Sequence, residues 1–247
     1  MTLHVVQFSG GIGSFGAAFR VAERYGTDNL VLLIADTGIE DEDLWRFADE
    51  TSRFLGVPLT KVKDGRTPWE LFRDKRFLGN DRITPCTKYL KQIPCRKWMR
   101  EHADPADTVA YIGIENTKKD RARIPAIVRN WEPWITQFPL CEEGEPLTKE
   151  QSKAQLLNEA RALGVEPPRL YGLEYAHNNC GGTCVRAGMQ QWRHTLKVFP
   201  ERFAYAEAQE AELREMLGDV SILRQRRKGV AYNLPLSELR REHEGAL

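Results

Sequence analysis

Ser9-Gly10-Gly11-Ile12-Gly13-Ser14 is the stretch on which the reading of this chain turns. An apolar run, Leu3 to Phe8, precedes it. Ala18, Val21, Ala22 and Tyr25 follow at helical spacing until Gly26 stops the pattern. A strand, a glycine turn and a helix N-terminus therefore meet here. Free backbone N–H groups and the positive end of the helix dipole converge on one spot, which favours an anion. Glycines admit a phosphate to the backbone, and Ser9 and Ser14 add hydroxyl donors.

Three readings of this corner stay open from the residues alone, the first a phosphate-binding loop of another kind than those below. It is not a Walker A loop, because no Lys-Ser or Lys-Thr pair follows the glycines. Gly11 to Gly16 spells the dinucleotide pattern GxGxxG, and Asp36 stands near the position where that pattern wants an acid. A glycine turn that only closes a βαβ unit is the third reading.

Asn29 to Asp36 is a continuous apolar run ending in Asp36-Thr37-Gly38, as in a strand buried on both faces. A helix is expected next, on Leu44, Phe47, Ala48, Phe54 and Leu55, closed by Gly56; Val57 to Val62 is a third strand. This is the βαβαβ half of a doubly wound fold, whose ligands sit at the carboxyl ends of the strands. Thr108 to Ile114 is a fourth apolar run. Thr148 and Gln151 have capping-box spacing ahead of a helix that stops at Gly164, and Pro200 opens another that stops at Gly218. Helix is also expected from Val185 to Lys197. The tail carries Arg224, Arg226, Arg227 and Lys228. The expected architecture is α/β, a doubly wound, mostly parallel sheet with a helical C-terminal part: residues 1–140 the nucleotide domain, 141–247 the helical region.

The 247 residues are 41% hydrophobic, enough for a substantial core, and net charge is only +1, so any basic patch must be local. No long apolar run and no signal-like N-terminus is present, which makes a cytoplasmic chain with no membrane partner the expectation. Five cysteines, an odd number, argue against a disulfide framework and leave thiols for a metal, a cluster or burial.

Three further stretches carry chemistry. Cys86-Thr87-Lys88-Tyr89-Leu90-Lys91-Gln92-Ile93-Pro94 offers two lysines to an anion, or a solvated helix face. Gly113-Ile114-Glu115 runs into Lys118, Lys119, Arg121 and Arg123, a basic cluster just past a strand end. His177-Asn178-Asn179-Cys180-Gly181-Gly182-Thr183-Cys184 sets two thiols on a glycine turn that suits zinc or an iron–sulfur centre, with Cys86, Cys95, Cys141 and His177 as further candidate ligands.

These segments, in this order, resemble the phosphoadenosine phosphosulfate (PAPS) reductase-like family of the PP-loop superfamily, whose folds are of the HUP type. The look is nearest to the branch carried by phages and mobile elements. The Ser-Gly-Gly-x-x-Ser frame resembles the superfamily's pyrophosphate loop, with Gly13 where Asp is usual. Residues 86–94 resemble that family's Cys-Thr-x-x-Leu-Lys-x-x-Pro segment. The resemblance implies ATP or PAPS, with Mg2+, held by Ser9, Gly10, Gly11, Gly13, Ser14, Asp36, Thr37 and Gly113. Lys88, Lys91 and Arg121 are implied as catalytic residues. Cys86, Cys141, Cys180 and Cys184 are implied as ligands of a 4Fe-4S cluster, or of Zn2+. The implied activity is adenylation of an acceptor with pyrophosphate release, for sulfur transfer or nucleobase modification. The acceptor would be an anionic small molecule or a nucleobase in tRNA; a homodimer is left open. Two alternatives are a sulfonucleotide reductase and a non-catalytic nucleotide-binding module in phage defence or counter-defence. The reductases' C-terminal nucleophilic cysteine has no counterpart, since no cysteine follows Cys184.

Overall fold

Strand β1 (Leu3–Gln7) runs through the glycine corner into α1 (Ile12–Tyr25), followed by β2 (Leu30–Asp36), α2 (Glu42–Leu55) and β3 (Leu59–Lys63) in this computed structural model, which describes residues 1–142 and 144–245. The side chain of Arg227 lies outside the described residues. Helix α3 (Pro68–Lys75), a turn of π-helix (Thr87–Gln92) and α4 (Ile93–His102) carry the chain to β4 (Thr108–Ile112). Short helices α5 (Lys118–Arg121) and α6 (Ile124–Trp131) lead to β5 (Ile135–Gln137). Then come α7 (Lys149–Ala162), α8 (Arg169–Gly172), α9 (Met189–Val198) and α10 (Pro200–Leu217). A hairpin of β6 (Leu223–Arg227) and β7 (Val230–Leu234) and helix α11 (Leu236–Glu244) end the fold.

The five-stranded sheet has the order β3-β2-β1-β4-β5 with every pair parallel, which is the doubly wound α/β architecture. Alternation along each strand feeds both faces. Val6, Leu32 and Ile34 pack beneath Phe15 of α1, Phe47 of α2 and Leu156 of α7, while Val5, Leu33 and Ala110 pack with Met99 of α4 and Trp131 of α6. Each such aliphatic side chain, fully buried, contributes about 1.5–3 kcal/mol.

A third core joins Trp192 and Leu196 of α9, Phe203 and Leu213 of α10 and Leu239 of α11 to Trp69 and Phe72 of α3. The cores interleave in sequence: α7 lies on α1, and α3 lies in the C-terminal core. The C-terminal part is helical apart from the antiparallel β6–β7 hairpin, which the sequence reading left out.

Local signals explain the helix ends. Thr148 and Gln151 form the expected capping box on α7, and Gly164 follows with φ +77°. Pro200 opens α10 and Gly218 stops it at φ +83°. Helix α9 begins only at Met189, not at Val185, because Ala187 N–H closes a turn on the Cys184 carbonyl and Gly188 is extended.

Candidate functional site

The glycine corner is shaped by close backbone approach. Gly10 has φ +70°, and a Cβ there would lie 2.5 Å from Leu44 of α2. Gly13 and Gly113 press together: a Cβ on Gly13 would be 2.7 Å from the Gly113 carbonyl, and one on Gly113 would be 2.5 Å from the Gly13 carbonyl. The carboxyl ends of β1 and β4, the two central strands between which the winding reverses, thus meet backbone to backbone. This contact leaves no room for a side chain at position 13. Ser14 turns inward: its Oγ donates to the Gly11 carbonyl at 2.7 Å and accepts from Ser9 N–H at 3.1 Å.

Two distant side chains stand over the corner. Ile12 N–H, at the start of α1, donates to the Tyr171 hydroxyl at 3.1 Å, and Asn178 Nδ2 donates to the Gly10 carbonyl at 2.8 Å. Burial pushes the Tyr171 phenol up to about 12, so it is a neutral hydroxyl. The Oδ1 of Asn178 and one carboxyl oxygen of Glu115 are buried with no hydrogen-bond partner among the described residues. Glu115 lies against Gly13, its Cγ 3.8 Å from the Cβ position of that glycine. Burial raises the Glu115 carboxyl's pKa and, together with the charge of Lys149, lowers that of the Lys153 ammonium. His177 is held down to about 4 by burial and by the charges of Lys149 and Lys153. Both orphaned acceptors thus lie beside the anion-favouring corner.

At the end of β2, Asp36 Oδ1 accepts from Gly38 N–H at 2.8 Å, and buried Thr37 donates to Glu40 Oε1 at 2.9 Å. Glu40 is the hub of this side. Lys91 Nζ pairs with its Oε1 at 3.2 Å, and Cys180 N–H donates to its Oε2 at 2.6 Å. Burial alone would lower the Lys91 pKa, but the Glu40 carboxylate and the sulfurs of Cys180 and Cys184 raise it. The neighbouring Cys180 thiol draws Cys184 down to about 6, while Cys184 and burial push Cys180 up. Cys86 is near enough to Cys184 to feel its charge, while burial raises its own pKa.

Arg169 and Arg202 brace this assembly from the C-terminal part. Both grip the fully buried Asp41, at 2.8 and 2.7 Å, and Arg202 also donates to the Gly181 carbonyl at 2.9 Å.

The remaining expected residues are dispersed. Lys88 is exposed, its Nζ 5.6 Å from the Tyr89 ring centre. Arg121 is engaged in structure: it donates to Asn116 Oδ1 at 2.7 Å and to the carbonyls of Cys141 and Gly144 at 2.9 and 3.0 Å. Cys141 Sγ rests 3.7 Å from the carbonyls of Ile114 and Glu115, a neighbourhood unlike that of the other three cysteines. Among the described residues no group of three or more His, Cys, Asp or Glu side chains is arranged to hold a metal ion. The four-cysteine set does not fit a cluster here. The orphaned oxygens of Asn178 and Glu115 are, by contrast, the hard donors that Mg2+ takes.

Two cavities flank the site. One of about 390 Å³ lies at the end of β2, between Glu40, Trp69, Cys180, Gly181, Arg202 and Tyr205. The other, about 370 Å³, lies past the end of β4 against α7, with Arg20, Asn116, Gly144, Ser152 and Gln155 on its walls. Sequence reasoning missed Tyr171, Glu40, Asp41, Lys153 and Arg202 as site residues. Their spacing carries no signal, since each reaches its partner from a remote part of the chain.

No helix among the described residues is long and apolar enough to cross a membrane. No protein-family model matches the chain, and no curated protein matches it. Among solved structures it is similar to phosphoadenylyl-sulfate (PAPS) reductase from Candida auris in a phosphate complex, with 13% identity and a TM-score of 0.45 over 70% of this chain and 78% of that one. It is also similar to a protein from Methanocaldococcus jannaschii described as a predicted subunit of tRNA methyltransferase, with 17% identity and a TM-score of 0.37 over 68% and 91% of the two chains. The strand order and the parallel register, rather than these overlaps, define the architecture as a doubly wound α/β fold.

Proposed function

We propose that this chain is a PP-loop enzyme that binds ATP at the Ser9–Ser14 corner and adenylates an acceptor with release of pyrophosphate. The observation that carries the reading is the Gly13–Gly113 contact. It sets a helix N-terminus at the point where the winding of the sheet reverses, the place where open α/β sheets bind ligands.

A phosphate entering the corner takes the Ile12 N–H that the Tyr171 hydroxyl now accepts, together with the Ser9 hydroxyl. The Lys153 ammonium, half-buried beside Tyr171 and Glu115, supplies positive charge to the departing pyrophosphate. Asn178 Oδ1 and the Glu115 carboxyl would be the oxygen donors for Mg2+ accompanying ATP, which would supply charge neutralisation on the phosphates. The acceptor oxygen attacks the α-phosphorus, the bond to the bridging oxygen breaks, and the acceptor leaves as its adenylate. The acceptor class that fits is a small anionic molecule or a nucleobase, the latter presented by tRNA.

Calorimetric titration with Mg·ATP tests the reading. Gly11→Val is expected to abolish binding, because even a Cβ there would lie 3.3 Å from the Tyr171 hydroxyl. Binding unchanged by Gly11→Val overturns the assignment of the corner. Sulfite released from PAPS, in place of pyrophosphate and AMP from ATP, overturns the adenylation chemistry.

A further inference from the structure

The sulfur pair at the end of β2 has no part in the adenylation reading, and its surroundings are more elaborate than packing requires. Between Cys180 and Cys184 the backbone doubles back. Cys180, Gly181 and Gly182 take φ of +53°, +54° and +87°, and the Thr183 N–H closes on the Cys180 carbonyl at 2.9 Å. A positive φ is uncommon for a residue with a side chain. Here it is held by Glu40 on the Cys180 N–H and by Arg202 on the Gly181 carbonyl. The result is a tight turn carrying two thiols four residues apart, to which Glu40 ties the Lys91 ammonium: Lys91 Nζ lies 3.2 Å from Oε1, and Cys180 N–H donates to Oε2 at 2.6 Å. The turn forms one wall of the 390 Å³ cavity, so a small solute meets it without unfolding of the chain.

We infer that Cys180 and Cys184 are a redox-active dithiol that exchanges electrons with a small-molecule disulfide of the glutathione class admitted to this cavity. In the oxidising direction one protein thiolate attacks a sulfur of RS–SR. That bond breaks, a protein–SR mixed disulfide forms, and RS⁻ leaves and takes up a proton. The second protein thiolate then attacks the protein sulfur of the mixed disulfide and expels the other RS⁻, which is protonated in turn. The protein has lost two electrons and two protons; the small disulfide has gained them as two thiols. The reverse sequence regenerates the dithiol. Lys91 favours both the attacking and the departing thiolate.

The test uses the full chain, purified without oxygen and equilibrated in glutathione buffers of graded poise. Free thiols are then alkylated, and intact mass and peptide maps are recorded without nucleotide. One reversible two-electron transition is expected, with a Cys180–Cys184 link in the oxidised form. Cys180→Ser and Cys184→Ser should each lose that link and retain a glutathione adduct on the remaining cysteine. Cys95→Ser, in the apolar core, should titrate like the unaltered chain. No link at any poise, a link through Cys86 instead, or iron or zinc held by these sulfurs in the purified protein would each overturn the inference. The titration of the unaltered chain decides the matter even where a serine variant fails to fold. Because no nucleotide is present, a failure here is distinct from a failure of the ATP reading.

Discussion

The corner at Ser9–Ser14 is made of backbone, whereas the turn at Cys180–Cys184 is held by side chains delivered from three other elements. In the corner, glycines let two strand ends touch, and the functional groups are N–H donors that any sequence would supply once the turn is made. In the turn, the positive φ of Cys180 persists because Glu40, Lys91 and Arg202 arrive from elsewhere. The first kind of site depends on the absence of atoms and tolerates no added Cβ. The second depends on a buried ion network and tolerates no lost carboxylate. Asn178 joins the two, bonding the Gly10 carbonyl two residues ahead of Cys180.

Substitutions that strike one region and spare the other sharpen this contrast. The largest effect is expected at Asp41, which is completely buried between Arg169 and Arg202. Their guanidiniums hold its carboxyl below the ordinary carboxylate range against the upward pull of burial. Asp41→Ala removes these charge-assisted hydrogen bonds and the cap of α2, and should cost about 3 kcal/mol in urea unfolding. A loss under about 1 kcal/mol would show that the network is not what braces the turn.

Next comes Gly13→Asp. The new side chain meets the Gly113 carbonyl, a backbone atom that cannot step aside. A loss of about 1–3 kcal/mol in stability is expected, together with loss of ATP binding, while the Cys180–Cys184 pair titrates as before. Tighter ATP binding by this variant would break the comparison, since the glycine would then not be a packing requirement.

The smallest effect is a slope. His177 precedes Asn178 and is kept neutral down to about pH 4 by burial and by the charges of Lys149 and Lys153, whereas its unfolded imidazole protonates near 6.5. Between those limits the unfolded state binds more protons, so stability falls as pH falls from 6.5 toward 4. The fall is at most about 1.4 kcal/mol per pH unit, and no contribution changes above 6.5. His177→Gln should flatten that part of the profile of urea midpoints. An unchanged slope would show that His177 is not its source; Glu115, whose carboxyl burial raises, contributes with the opposite sign.

Much of the fold was legible because its signals are local. Leu30 to Asp36 reads as a strand from its unbroken apolar run, and Thr148 with Gln151, Pro200 and Gly218 mark helix ends through their own backbone chemistry. The metal reading drew Cys141 into one set with Cys86, Cys180 and Cys184 on cysteine count and resemblance. In space Cys141 belongs to the end of β4, under Arg121, whose guanidinium binds carbonyls there. The hairpin of β6 and β7 was missed because β6 reads as a basic run, Leu-Arg-Gln-Arg-Arg, and the alternation of Val230, Tyr232 and Leu234 in β7 is only one short strand long.

By itself the sequence determined the parallel strands, the helix limits and the glycine corner, since φ preference, capping and apolar period act within a few residues. Only the tertiary structure decided that Gly113 abuts Gly13, that Tyr171 and Asn178 stand over the corner, and that Glu40 ties Lys91 to the cysteine turn. These pairings join residues separated by 50 to 170 positions or thereabouts, where the energy of a contact depends on how whole elements pack and leaves no periodic trace along the chain.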